Sequence, residues 1–252
     1  MREISLWIAR PGRAYSVMAI ALWVWMVFAG PTRATIFTVL AVSMSLLLLA
    51  QWAMYRREQF IRHSLLPHFL KLKLREHYAH LSQKDAELVE RGLRQFFLTC
   101  HRSRGKFVAM PSQAVDVMWH EFILHTRAYR RWCGFGLGRF LHHTPAEALA
   151  QNAKRNDGLR RAWYWACKDE SIDPRMPTRL PLLFALDTKL GIEGGFQYVP
   201  DCRAMDRHME GNGAPHCGTD FSGGSASGDG DGFGGAEGSS DGGGDGGGCG
   251  GD

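Results

Sequence analysis

The chain has 252 residues, 45% of them apolar, which allows one medium-sized domain with accessory segments. Its net charge of +5 is unevenly spread: no Lys or Arg follows Arg207, while seven acids fall between Gly211 and Asp252, so residues 1–210 carry +12 and the remainder −7. Six widely spaced cysteines (Cys100, Cys133, Cys167, Cys202, Cys217, Cys249) with no CxxC pair exclude a zinc ribbon and a disulfide framework.

Two uncharged apolar runs open the chain, Tyr15 to Ala29 and Thr35 to Tyr55, separated by the turn signal Gly30-Pro31-Thr32-Arg33. A bilayer core needs about 20 apolar residues. The second run meets that length and the first meets it with its flanks. The expectation is a membrane anchor over residues 1–55, a hairpin of two helices at about 14–30 and 35–55. A cleaved signal peptide is the rival reading. The second run follows at once, however, and no clean small-x-small site precedes it. Arg2, Arg10 and Arg13 before the hairpin and Arg56, Arg57 and Arg62 after it, against Arg33 alone in the turn, place both termini in the cytoplasm of a multi-pass inner-membrane protein. Reduced thiols are then the default.

Residues 56–81 form a basic amphipathic segment suited to anionic headgroups, with Pro67 at a helix start or kink. The lipid bilayer is therefore the first expected partner and nucleic acid is not one, because the basic excess clusters beside the hairpin. A helical domain over residues 82–210 follows. Ser82 and Asp85 resemble a capping box that opens a helix through Cys100, with Leu88, Leu93, Phe96 and Phe97 as its apolar positions. Ser112 is the N-cap of the central helix, whose residues Val115, Met118, Trp119, Phe122, Thr126, Tyr129 and Cys133 share one stripe. The cluster Gly134-Phe135-Gly136-Leu137-Gly138 ends that helix. Thr144-Pro145-Ala146-Glu147 caps the next, which runs to about Lys168. Pro177 to Gly191 holds a short helix and Gly194 to Val199 an extended piece. The fold class is all-α in the main.

From Gly211 onward 19 of 42 residues are glycine, a composition that cannot offset its ordering entropy, so residues 211–252 read as a disordered tail. Calcium binding there is rejected because the nonapeptide period of glycine-aspartate repeats is absent.

The histidines carry the chemical interest. His120-Glu121-Phe122-Ile123-Leu124-His125 is one residue longer than the zinc-protease signature. On a regular helix, residues five apart lie about 140° apart around the axis, so these two histidines cannot share a metal. Asp116 and His120, four apart, can meet, and the carboxylate then orients the imidazole. Metal candidates are His120, His142, His143 and Cys133, with His101 a further contributor, and zinc or another transition metal is the cofactor such a set would take. Candidate catalytic residues are Asp116, His120 and Cys133. The plainer alternative keeps these residues structural: an Asp116–His120 helix pair, a buried small Cys133, and His142-His143 hydrogen-bonding a helix start.

Val115-Asp116, Trp119-His120, Tyr129, Cys133 and His142-His143-Thr144-Pro145 together resemble the glycine-rich domain-containing protein-like family. Its bacterial members carry a similar VDxxWHxFILxTxxYxxFC run followed by GxFLHHxP. LPLLFALDTKLGI, GGFQYV and Asp201-Cys202 also fit, so the resemblance spans about Gln83 to Cys202. The W-H-x-H motif of plant relatives matches Trp119 and His120 but meets Phe122 at its second histidine, which weakens a metal site of the plant type. The resemblance implies a domain boundary and a central motif, without a reaction. The expectation is binding or scaffolding by the helical domain, with a protein partner met through that domain or the glycine-rich tail. The alternative is a hydrolase-like or metal-dependent enzyme using Asp116 and His120 with Cys133 or His143.

Overall fold

The computed structural model describes residues 21, 24, 25, 32–143, 153–201 and 216–222. The first apolar run, the Thr144–Pro145 cap and the glycine run past residue 222 lie outside the described residues, apart from Ala21, Val24 and Trp25. What is described is mainly α-helical: α1 (Arg33–His63), α2 (Phe69–His77), α3 (Gln83–Arg102), α4 (Gln113–Leu124), α5 (Thr126–Gly136), α6 (Ala153–Asp169) and α7 (Leu182–Leu190). Strands β1 (Tyr198–Val199) and β2 (His216–Cys217) and a 3-10 turn at Thr219–Ser222 complete it.

Thr32 caps α1 by accepting the Thr35 amide at 3.3 Å. No Gly or Pro interrupts the 31 residues that follow, so the helix runs about 46 Å at 1.5 Å per residue. Only 6% of its most apolar 18-residue window is buried, and among the described residues it is the one helix long and apolar enough to cross a bilayer. Its far end is different: Ile61 is fully buried in the domain core. The segment 56–81 is thus not one separate helix. Arg56 to His63 continue α1, the chain breaks around Pro67, and α2 is a short helix of its own.

Helix α3 is the hub, packed by α1, α2, α4, α6 and α7. The Ser82–Asp85 capping box is formed, with Asp85 Oδ2 accepting the Ser82 amide at 2.9 Å and Ser82 Oγ accepting the Asp85 amide at 3.2 Å. Ala86, Val89, Leu93, Phe96, Phe97 and Cys100 recur at helical spacing and are all fully buried. At Gly92 a side chain would collide with Leu186 and press on Val115, so its absence lets α7 and α4 approach α3 closely. Glu58, Arg62, Arg102 and Asp169 then tie α1, α3 and α6 together in one ion-pair cluster.

Three features differ from the sequence reading. The central helix is two helices, broken at His125 (φ −88°, ψ 59°), and Thr126 is exposed rather than in the apolar stripe. Tyr129 and Cys133 still enter the core, from the second of the two helices. The glycine cluster does end the second of these helices, at Gly136 with Leu137 as its C-cap. Residues 216–222, read as part of a disordered tail, are structured: β2 pairs in parallel with β1 (Tyr198 with His216, Val199 with Cys217), and Phe221 is buried against Trp163, Phe184 and Tyr198. Averaging over 42 residues hid a short segment with a cysteine and a phenylalanine of its own. Finally, Cys100 and Cys217 each take part in a disulfide, which scattered cysteine spacing could not reveal.

Candidate functional site

Helix α4 is held from its N-terminus by a buried carboxylate. Asp187 on α7, 2% exposed, accepts Ser112 Oγ at 2.7 Å, the Gln113 amide at 2.7 Å, the Ala114 amide at 3.2 Å and the Phe196 amide at 3.0 Å. The first N–H groups of a helix have no partner within it and carry partial positive charge, so an aspartate there both satisfies and neutralises them. This fixes the start of the helix that carries Asp116, Trp119 and His120.

The other half of the site arrives on the segment after Gly138. Trp119 Nε1 donates to the Tyr129 hydroxyl at 3.0 Å, and that hydroxyl donates to the Leu141 carbonyl at 2.7 Å. Burial pushes the Tyr129 phenol far above its usual range, so it stays protonated and able to donate. Three buried groups thus fasten α4 to α5 and both to residues 140–143. His143 is set down on the Trp119 ring, centroids 4.7 Å apart, and beside His120, centroids 4.0 Å apart.

Asp116, His120 and His143 therefore meet. His143 Nε2 lies 3.0 Å from Asp116 Oδ1, and His120 Nδ1 lies 3.5 Å from Asp116 Oδ2. One ligand-type atom from each of the three lies within 4.8 Å of the others. Side-chain exposure grades from 11% at His143 through 32% at Asp116 to 51% at His120, so the cluster has a buried floor and an open mouth. Ligands 2.0–2.1 Å from a tetrahedral zinc stand about 3.3 Å from one another, close to the 3.0 Å between His143 Nε2 and Asp116 Oδ1. His120 Nδ1 is also 3.0 Å from the Asp116 carbonyl oxygen. A ring N–H donated there leaves Nε2 as the lone-pair nitrogen.

The remaining sequence candidates lie elsewhere. Cys133 is fully buried and bonded to the Tyr129 side chain and the Leu141 backbone, and burial pushes its thiol up to about 11, so it is neutral thiol rather than thiolate at pH 7. It belongs to the fastening beneath the cluster, not to the cluster. His142 is exposed and lies against Phe140 at 4.8 Å. His125 stacks on Phe69 with centroids 3.8 Å apart, away from His120. His101 is buried beside Arg57 and Glu58.

Two residues near this region were not singled out from sequence. Asp187 sits in a LFALDTKLG run that reads as a plain amphipathic helix, and its partners are 73 to 75 residues away on α4, out of reach of any local pattern. The Tyr78 hydroxyl is buried without a hydrogen-bond partner among the described residues. Burial raises its pKa, and the charges of Asp187 and Asp116 raise it further. It is thus a neutral donor within electrostatic reach of the cluster.

Residues 56–221, well over half of the chain, match the model of the UCP032817-like family, and the chain belongs to that family. The match starts where α1 turns from apolar to basic and ends at Phe221, so it takes in the segment before α3 and the β2 strand. No curated protein and no solved structure matches the chain.

Proposed function

We propose that this UCP032817-like protein is a membrane-tethered helical domain that binds a divalent transition metal at Asp116, His120 and His143. The observation that carries the reading is the meeting of two imidazoles and a carboxylate from segments 27 residues apart in sequence, with a ligand-type atom of each within 4.8 Å of the others. The open side at His120 leaves room for a further ligand, a water or a group from a partner. Two histidines and one carboxylate with open positions also suit iron or manganese. Tyr129, Cys133 and Leu141 act behind the ligands as the fastening that sets His143. In this reading the likeness to glycine-rich domain-containing proteins reflects one bonded unit rather than a row of separate residues.

The test is metal content of the full chain purified in detergent, wild type against His120→Ala and His143→Ala. Stoichiometric zinc, iron or manganese in the wild type and its loss in both variants is the expected result. Folded, metal-free protein in all three, after incubation with each metal, would falsify the proposal.

A metal-dependent hydrolase is the second reading, favoured by the open coordination side and by the Tyr78 hydroxyl nearby. Its discriminator is hydrolysis of generic phosphate or carboxylate esters that Asp116→Asn abolishes.

For the anchor, α1 is read as a membrane span and the run before it as its hairpin partner, with both termini in the cytoplasm on the distribution of arginines. The bonded state of Cys100 and Cys217 favours the opposite side, where disulfides persist. A reporter fused after Asp252 decides between them: activity of a cytoplasmic reporter supports the arginine rule, and activity of an exported one places the domain outside.

A further inference from the structure

A second cavity, of about 690 Å3, opens between the middle of α1 and the far end of the domain. Ala50 and Met54 of α1 and Leu137 supply its apolar side, Gln51 an amide, and Arg57, Arg104 and Arg139 three guanidinium-bearing side chains. No Asp or Glu is among its described lining residues. His101 sits on its wall, hydrogen-bonded to the Met54 backbone and kept neutral at pH 7 by burial. Arg57 and Arg139 are partly buried, which lowers the pKa of both, and an anion entering the cavity would meet guanidiniums from three separate parts of the chain.

The pocket is also built around one of these groups. Gly138 has φ +73°, and a Cβ there would stand 2.5 Å from the Arg57 guanidinium. The backbone conformation favours glycine, and a side chain there would push the Arg57 guanidinium from its place. The cavity's position adds a second constraint. Its α1 residues follow directly on the exposed apolar side chains Leu40, Met44, Leu47 and Leu48, so it sits where the apolar length of the helix ends. Ala50, Met54 and Arg57 lie three and four residues apart, on one face that Leu47 continues.

We propose that this cavity binds a phosphate ester, the headgroup of an anionic phospholipid whose acyl chains lie along α1. Guanidiniums hold phosphate oxygens through paired N–H donors, and the neighbouring apolar helix face suits the chains. The site is separate from the Asp116 cluster. The lipid as source of the phosphate rests on reading α1 as a membrane span; the phosphate chemistry does not.

The experiment uses the full chain in a non-ionic detergent, titrated with dioctanoyl phosphatidylglycerol, dioctanoyl phosphatidylcholine and inorganic phosphate. Phosphatidylglycerol is expected to bind at least about tenfold tighter than phosphatidylcholine, a difference of one decade in Kd. Arg139→Gln, Gly138→Ala and Arg104→Gln should each weaken it, while Arg127→Gln, an exposed arginine outside the cavity, should not. Arg104 is itself exposed, so its variant keeps the test sound if the other two fail to fold. Equal binding of the two lipids, or equal losses in Arg104→Gln and Arg127→Gln, would overturn the proposal. Inorganic phosphate binding as tightly as phosphatidylglycerol would overturn the lipid as source. A chain that fractionates as soluble but binds phosphatidylglycerol through these arginines would sink the membrane span and keep the site.

Discussion

Trp119 and Tyr129 are joined by a buried hydrogen bond of 3.0 Å across the break at His125, and Tyr129 passes the connection on to Leu141. The pair converts two short helices and a following loop into one rigid corner. His143 owes its place beside Asp116 to that corner.

Tyr129→Phe therefore leaves the Trp119 N–H and the Leu141 carbonyl buried and unpaired. At roughly 1–3 kcal/mol for each such group, a loss of about 2–4 kcal/mol in unfolding free energy is expected. Zinc affinity should fall by about 10–100-fold through loosening of His143, with no ligand removed. Denaturant unfolding and a zinc titration on the same samples check both; an unchanged unfolding midpoint would mean that the corner is not held this way.

Asp187→Ala strips the partner from Ser112 Oγ and from three backbone amides at once. The first-turn carboxylate of α4, Asp116, is engaged with His143 and His120 and does not replace Asp187, so the expected cost is about 3 kcal/mol or more. Asp187→Asn keeps one acceptor oxygen and should recover part of the loss. Amide exchange at Gln113 and Ala114 is the local readout: protection there should drop in the alanine variant before the rest of α4 is affected.

His101 gives the fold a pH dependence of defined sign. Burial first, then Arg57, lowers its folded pKa from 6.5 to about 4, with Glu58 acting in the opposite sense and Arg102 adding to the lowering. Between those values the unfolded chain binds the proton and the folded chain does not. Stability is then full above pH 6.5 and is lost as pH falls toward 4, by at most about 3 kcal/mol. His101→Gln should flatten that slope whatever it does to stability at neutral pH. The comparison belongs in phosphate-free buffer, because an anion among Arg57, Arg104 and Arg139 would raise the His101 pKa.

Cysteine reactivity separates two environments. Cys133 and Cys167, buried and with thiols pushed up to about 11 and about 12, should resist iodoacetamide in the folded chain and react on unfolding. Cys100 and Cys217 should resist it even unfolded until a reductant is added. Mass spectrometry of the labelled peptides reads all four sites, and label on Cys100 in unreduced, unfolded protein would show that its disulfide is absent.

Local chemistry was legible in the sequence where neighbours in the chain are neighbours in space. The Ser82 box, the Ser112 cap and the Gly191 stop of α7 (φ 60°) each follow from a few adjacent residues. The Asp116–His120 pair follows from helical spacing alone. His143 was readable as a candidate because it stands in a conspicuous histidine pair, but nothing local distinguishes it from His142; the Tyr129–Leu141 bond decides which of the two turns inward. The break at His125 was invisible, since no Gly or Pro marks it. It is imposed by packing: His125 lies on Phe69 while Tyr129 and Trp132 must reach a core already occupied by Phe97 and Phe122. The arginine cavity was not legible: Arg57 was read as part of the basic segment 56–81 and Arg104 and Arg139 were not singled out, because the three come from distant parts of the chain.

The continuity of α1 has a mechanical consequence. Phe60 packs on Trp132 and Phe135, Ser64 accepts the Trp132 indole N–H at 3.1 Å, and Arg94 holds the Ile61 carbonyl at 3.0 Å, so the helix is clamped at its far end with no swivel above the clamp. The domain is mounted like a head on a stiff shaft, at a set height and a set azimuth. One alanine inserted between Trp52 and Ala53 would turn the head by about 100° and lift it by about 1.5 Å, pointing the Asp116 cluster in a new direction without altering a single atom within it.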